Sequence, residues 1–116
     1  MGRLTMKENR AHASHVADSL LQIEVELRSI GVWQEQPLPP EAFESTQPFC
    51  LDTMNFTQWL QFVFVERMKL LLEAGQPLPS VSGIAPMAEE YFRGRSESGA
   101  KLIQALAHMD NLLSGE

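Results

Sequence analysis

The stretch that decides the fold is residues 45–79, STQPFCLDTMNFTQWLQFVFVERMKLLLEAGQPLP. It contains an irregular approach segment, a strongly hydrophobic helical pattern and the loop that ends it. Asn55 predicts the N-cap, because its side-chain oxygen can accept hydrogen bonds from the free N–H groups of a first helical turn. Gln58, three residues on, completes a capping-box pattern. Gly75 suits a left-handed C′ position and Pro77 cannot continue a helix, so we predict a helix over residues 55–74.

Arg67 interrupts the apolar pattern of this helix. The residues three and four positions away on either side are apolar: Val63, Phe64, Leu70 and Leu71. A helical residue with such neighbours projects from an apolar face. A guanidinium keeps its proton, so there it must reach water, pair with a carboxylate or line a polar pocket.

Asp52, just before the helix, is the nearest candidate partner of Arg67 in sequence. The alternatives are Glu44, Glu89 and Glu90. The pair would be either a structural ion pair that fixes the approach segment or part of a site that binds an anion or a partner. We take Arg67, Asp52, Trp59 and Phe49 as the candidate binding residues.

Length and composition indicate a single domain over residues 1–116, with residues 1–9 as a frayed end. The hydrophobic and charged fractions, 44% and 21%, are those of an ordinary globular protein. The net charge of −6 argues against strong direct binding to nucleic acid or to an anionic membrane. The single cysteine, Cys50, fits a reducing compartment, and no apolar signal segment is present, so we expect a cytoplasmic protein.

Three further helices are predicted, over residues 10–30, 86–93 and 98–113. The first has an apolar stripe at alternating spacings of four and three, formed by Val16, Leu20, Ile23, Leu27 and Ile30. Residues 32–54 carry four prolines and form an irregular strap, which we expect to be ordered by its apolar residues Trp33, Phe43, Phe49 and Leu51. Within it, Pro40 predicts a single helical turn. The fold class is therefore all-α, a four-helix bundle crossed by a long strap.

The search for catalytic chemistry yields no catalytic constellation, metal site or cofactor motif. His12 and His15 lie near the frayed end without a fourth ligand. Arg93, Arg95 and Lys101 follow two aromatic residues, a pattern compatible either with single-stranded RNA binding or with a solvated turn. The tetrapeptide Gln-Pro-Leu-Pro occurs at 36–39 and 76–79, either as two helix stops or as extended segments presented to a partner.

Four blocks of the stretch carry a family resemblance: Ser-Thr-Gln-Pro-Phe, Asp-Thr-Met, Trp-Leu-Gln and Gln-Pro-Leu-Pro. They resemble the bacterial YqcC-like family, and the likeness extends over most of the chain from about Val16. The resemblance implies a small helical bundle without established catalytic residues. It also implies a link to tRNA modification, since genes of this family often lie beside, or are fused to, one for a TruC-type tRNA pseudouridine synthase.

Two functional hypotheses follow. The first is a non-enzymatic accessory or interaction domain whose partner is another protein, with a tRNA pseudouridine synthase as the candidate. The second is a small ligand-binding protein or enzyme with a pocket around Arg67 and Asp52. A deep polar pocket at Arg67 would favour the second hypothesis, and a flat apolar surface patch of more than roughly a few hundred Å² would favour the first. The sequence does not predict the oligomeric state.

Overall fold

The computed structural model of the protein describes residues 6–45, 53–79, 83–95 and 99–114. Throughout these ranges the regular structure is helical, which confirms the all-α prediction. α1 spans Met6–Ser29, α2 Phe56–Trp59, α3 Glu66–Ala74, α4 Ile84–Phe92 and α5 Ala100–Ser114. A π-helical segment, Leu60–Val65, joins α2 to α3, so residues 56–74 form one continuous helix, called the central helix below. The four helical regions are those predicted, and α1 begins earlier than expected.

The ends of the central helix have the predicted caps. The Asn55 side chain accepts a hydrogen bond from the Gln58 backbone, and the Gln58 side chain accepts one from the Asn55 backbone, both at 2.9 Å. Gly75 has a φ of 66°, and two backbone bonds close the helix end, from Gly75 N–H to the Leu72 carbonyl and from Gln76 N–H to the Leu71 carbonyl. This is a Schellman motif, in which glycine adopts the left-handed conformation at low cost.

The core lies between the four helical regions. α5 packs extensively against both α1 and α4, whereas α1 and α3 meet at few positions. The apolar stripe predicted for α1 is buried, apart from Ile30, which is partly buried against the same cluster. The largest side chains that are fully buried are Ile23, Leu27, Leu60, Met68, Ile84, Leu102, Leu106 and Met109.

An acidic residue of α5 holds the start of α4. The carboxylate of Asp110 accepts hydrogen bonds from the backbone N–H of Ile84 at 3.1 Å and of Ala85 at 2.9 Å. Both donors belong to the first turn of α4, where N–H groups have no partner within the helix. Asp110 therefore replaces the side-chain cap that Gly83, the residue before α4, cannot supply.

The described part of the strap is ordered by a few contacts. Pro40–Phe43 form a 3₁₀ turn, as predicted, and its Ala42 carbonyl accepts a hydrogen bond from the Thr53 hydroxyl at 2.6 Å. Trp33 packs against the core. Phe43 was expected to anchor the strap but is 46% exposed, because the turn directs the small Ala42 inward instead. Phe49 and Leu51 lie outside the described residues.

Candidate functional site

Arg67 is exposed to solvent, which corrects the prediction that it lies on the buried face of the central helix. The ion pairs of the described residues are Arg28–Glu24, Arg28–Glu35, Lys69–Glu24 and Arg93–Glu90, and Arg67 takes part in none of them. The alternative partners Glu44, Glu89 and Glu90 are thus not paired with it. Asp52 and Phe49 lie outside the described residues, so the pairing of Arg67 with Asp52 stays a prediction.

The π-helical segment explains the exposure of Arg67. An α-helix turns by about 100° per residue, so Arg67 would point within about 20° of Phe56, and Met68 about 120° away from it. The buried positions instead recur every fourth residue, at Phe56, Leu60, Phe64 and Met68. The wider π turn accommodates one extra residue, which shifts every later position by one. Met68 therefore occupies the buried position that α-helical spacing assigned to Arg67.

Trp59, another predicted site residue, is half-buried in an aromatic cluster. Its ring stacks on Phe56 with centroids 6.3 Å apart and on Phe64 with centroids 5.8 Å apart. Phe56 in turn contacts Tyr91 of α4 at 5.7 Å. Aromatic pairs at such separations contribute more than their buried area alone. Phe56 thus joins the central helix to α4, and Trp59 packs beside it on the central helix.

A glutamine cluster, Gln34, Gln58 and Gln61, attaches the strap to the π-helical segment. The buried side chain of Gln61 accepts a hydrogen bond from the Gln34 backbone N–H at 2.9 Å and donates one to the Gln34 carbonyl at 2.7 Å. The Gln58 amide donates to the Gln34 side chain at 2.8 Å. A buried amide is costly unless both its donor and its acceptor are used, and here they are. The cluster therefore stabilises the contact between the strap and the π-helical segment.

The basic residues after α4 are partly engaged with their neighbours. The Arg95 guanidinium lies 3.9 Å from the centre of the Tyr91 ring, and its Nε donates to the Tyr91 carbonyl at 2.7 Å. Arg93 pairs with Glu90 at 3.2 Å. These contacts favour the solvated turn over the RNA-binding alternative for this cluster.

An open groove of about 290 Å³ lies between α1 and α3, on a side of the molecule that the sequence did not single out. Its floor is apolar and formed by Ala17, Leu20, Leu21 and Leu72. Charged side chains border it: Glu24 from α1, and Lys69 and Glu73 from α3. Leu21 is 61% exposed, so most of this apolar side chain is accessible at the groove. A groove with an apolar floor and a polar rim suits an apolar segment of another molecule.

The sequence held a signal for this groove. Leu21 and Val25 are apolar residues of α1, four positions apart, that lie outside its buried stripe. Val25 is also exposed, at 54%. Apolar residues at i and i+4 beside a complete core stripe indicate a second apolar face. Arg67 is not among the residues that line the groove.

Within the described ranges, histidine, cysteine and acidic side chains form no group of three that could hold a metal ion. The helices in those ranges are also too short or too polar to cross a membrane.

Comparison with known proteins places the chain in a family. Residues 15–112 match the model of the family DUF446, described as tRNA pseudouridine synthase C. The chain belongs to this family. A family relative, an uncharacterised protein of Haemophilus influenzae, is 41% identical over 80% of this chain and 87% of its own length. The uncharacterised protein YqcC of Escherichia coli is 35% identical over 84% of this chain and 89% of its own length.

The solution structure of Escherichia coli YqcC shows the same fold as this DUF446 chain, with a TM-score of 0.77 and 34% identity. The alignment covers 89% of this chain and 88% of YqcC. A third relative is the tRNA pseudouridine synthase C of Pectobacterium carotovorum, 40% identical over 72% of this chain. That match covers only 22% of the Pectobacterium protein, so most of the latter lies outside the shared region.

Proposed function

We propose that this protein is a non-enzymatic accessory domain that binds a tRNA pseudouridine synthase. The observation that supports the proposal most directly is the Pectobacterium relative, in which a region similar to this chain occupies 22% of a protein named as such a synthase. Two domains within one polypeptide meet at a high effective concentration. Where they are separate chains, as proposed here, the contact between them has to supply the affinity.

The charge of the protein favours a role through protein contact over a role through RNA contact. A chain with a net charge of −6 gains little from the release of counterions on RNA. We therefore expect the isolated domain to bind tRNA weakly, with a Kd of roughly tens of micromolar or more at physiological salt. It would act by positioning the synthase on its tRNA or by stabilising the fold of the synthase. We place the complex in the cytoplasm, since the single cysteine fits a reducing compartment.

The geometry of the surface agrees with this role better than with a small-molecule site. The apolar groove between α1 and α3 is open and has few polar groups on its floor. Specific ligand pockets usually enclose a ligand and direct several polar groups at it. The alternative hypothesis, a pocket around Arg67 and Asp52, needed a sequestered guanidinium, whereas Arg67 is exposed.

The test is to purify this protein and the tRNA pseudouridine synthase C of the same organism and to measure their association by calorimetry. Conversion of uridine in tRNA is then assayed with and without the accessory domain. We expect a complex in the micromolar range or tighter and faster or more complete conversion in its presence. Absence of binding at high micromolar concentration, together with unchanged tRNA modification in a strain lacking the gene, would refute the proposal.

A further inference from the structure

The two acidic residues that line the groove between α1 and α3 differ in their ion pairing. On the α1 edge, Glu24 is neutralised by two cations, since Arg28 Nε lies 3.0 Å and Lys69 Nζ 3.7 Å from its carboxylate oxygens. On the α3 edge, Glu73 has no ion pair with any described residue. Glu73 therefore keeps its negative charge without an ion pair, although Lys69 lies one helical turn before it on the same edge.

The position of Glu73 in α3 increases this negative potential. Glu73 lies in the last turn of α3, which contains no basic residue. The C-terminal end of a helix carries a partial negative charge and is normally accompanied by Lys, Arg or His. A carboxylate at this position is repelled by the helix dipole. A cation supplied by another molecule would relieve the repulsion.

We propose that this groove receives an amphipathic helix of the tRNA pseudouridine synthase, with a Lys or Arg side chain of that helix against Glu73. This inference rests on the function proposed above and identifies the surface that carries it out. The residues of α1 that line the groove run from Ala17 to Glu24, a length of about 10 Å, which matches two helical turns. Two turns place apolar anchors at i, i+3, i+4 and i+7, the pattern of helix-in-groove recognition.

Charge favours this occupant over a second copy of the same chain. A two-fold contact would bring together two molecules that each carry a net charge of −6, which opposes their association. An enzyme that binds tRNA instead requires Lys and Arg on its surface to contact phosphates. An acidic accessory protein and a basic enzyme are complementary, which raises their association rate and orients the encounter.

Two matched pairs of variants test the proposal against purified tRNA pseudouridine synthase C of the same organism. Leu21→Asn changes a leucine in the groove that is 61% exposed, and Leu70→Asn changes one that is 65% exposed and does not line it. Calorimetry should show a Kd about tenfold higher or more for Leu21→Asn, which corresponds to a loss of about 1.4 kcal/mol or more at a central apolar contact. Leu70→Asn should bind like the wild type. Circular dichroism checks that both variants are folded.

The second pair tests the charge. Glu73→Gln should raise the Kd about threefold at low salt, and the difference from the wild type should disappear in high salt. Glu66→Gln changes another exposed glutamate of α3 that does not line the groove, and it should have no effect.

The outcomes separate the two proposals. If the wild type binds the synthase and Leu21→Asn binds as tightly as Leu70→Asn, the groove is not the docking surface, although the accessory function stands. If the wild type does not bind the synthase at all, the groove proposal is wrong, and unchanged tRNA modification in a strain lacking the gene then refutes the accessory function as well. Sedimentation that shows a dimer dissociated by Leu21→Asn would assign the groove to self-association. Binding of tRNA alone that Leu21→Asn weakens would assign it to RNA.

Discussion

Replacing Asp110 by alanine should destabilise the protein by about 3–5 kcal/mol. Each oxygen of its carboxylate accepts one hydrogen bond from the first turn of α4, at 3.1 Å and 2.9 Å. The donors belong to Ile84, which is fully buried, and Ala85, which is 7% exposed, so water cannot easily replace the carboxylate. A hydrogen bond to a charged group contributes about 1.5–3 kcal/mol, and the two are not fully additive. Since small domains have a net stability of about 5–15 kcal/mol, the loss would be large.

Two further variants separate the capping role of Asp110 from a general effect of changing α5. Asp110→Asn keeps one acceptor oxygen but turns an NH₂ group toward the second N–H, so it should cost about 2 kcal/mol. Asn111→Ala changes the exposed neighbour on the same helix and should stay within about 0.5 kcal/mol of the wild type.

The stability of Asp110→Ala, Asp110→Asn and Asn111→Ala is measured by urea denaturation followed by far-ultraviolet circular dichroism. Amide hydrogen exchange adds a local test, because protection of the Ile84 and Ala85 amides should fall most strongly in Asp110→Ala. If the denaturation midpoint of Asp110→Ala equals that of Asn111→Ala, the carboxylate does not hold α4 and the reasoning is wrong.

Three other predictions can be checked by the same denaturation measurements. Met68→Ala should lower the free energy of unfolding by about 2–5 kcal/mol, because Met68 is only 1% exposed. Arg67→Met should change it by less than about 0.5 kcal/mol. A larger loss for Arg67→Met than for Met68→Ala would contradict the register shift caused by the π turn. Gly75→Ala should cost about 1 kcal/mol of stability. An added Cβ would have no atom within 4 Å, so the cost comes from the backbone, whose φ of 66° disfavours alanine. An unchanged denaturation midpoint would show that the helix end rearranges freely. Trp59→Ala should cost about 2–3 kcal/mol, below the value for a fully buried tryptophan, and a loss under about 1 kcal/mol would show that its aromatic contacts are weak.

The caps of the central helix could be predicted from sequence because each depends on residues within one turn of one another. Asn55 and Gln58 cap each other across three positions. At the other end the Gly75 N–H bonds to the carbonyl three residues before it, and the Gln76 N–H to the carbonyl five residues before it. The buried stripe of α1 was equally local, since helical periodicity alone aligns it. Such short-range geometry is nearly independent of the rest of the chain, so these residues alone determined the helices and the all-α class.

Only the tertiary structure decided where Arg67 points, what caps α4 and where a groove opens. The π turn that moves Arg67 to the surface contains Gln61, whose amide is satisfied by Gln34 from a distant part of the chain. The cap of α4 comes from Asp110, 26 residues after the first N–H that it accepts. The groove lies where α1 and α3 meet at few positions, while α1 packs extensively on α5. Each of these features depends on contacts between residues far apart in sequence, whose pairing a local pattern does not encode.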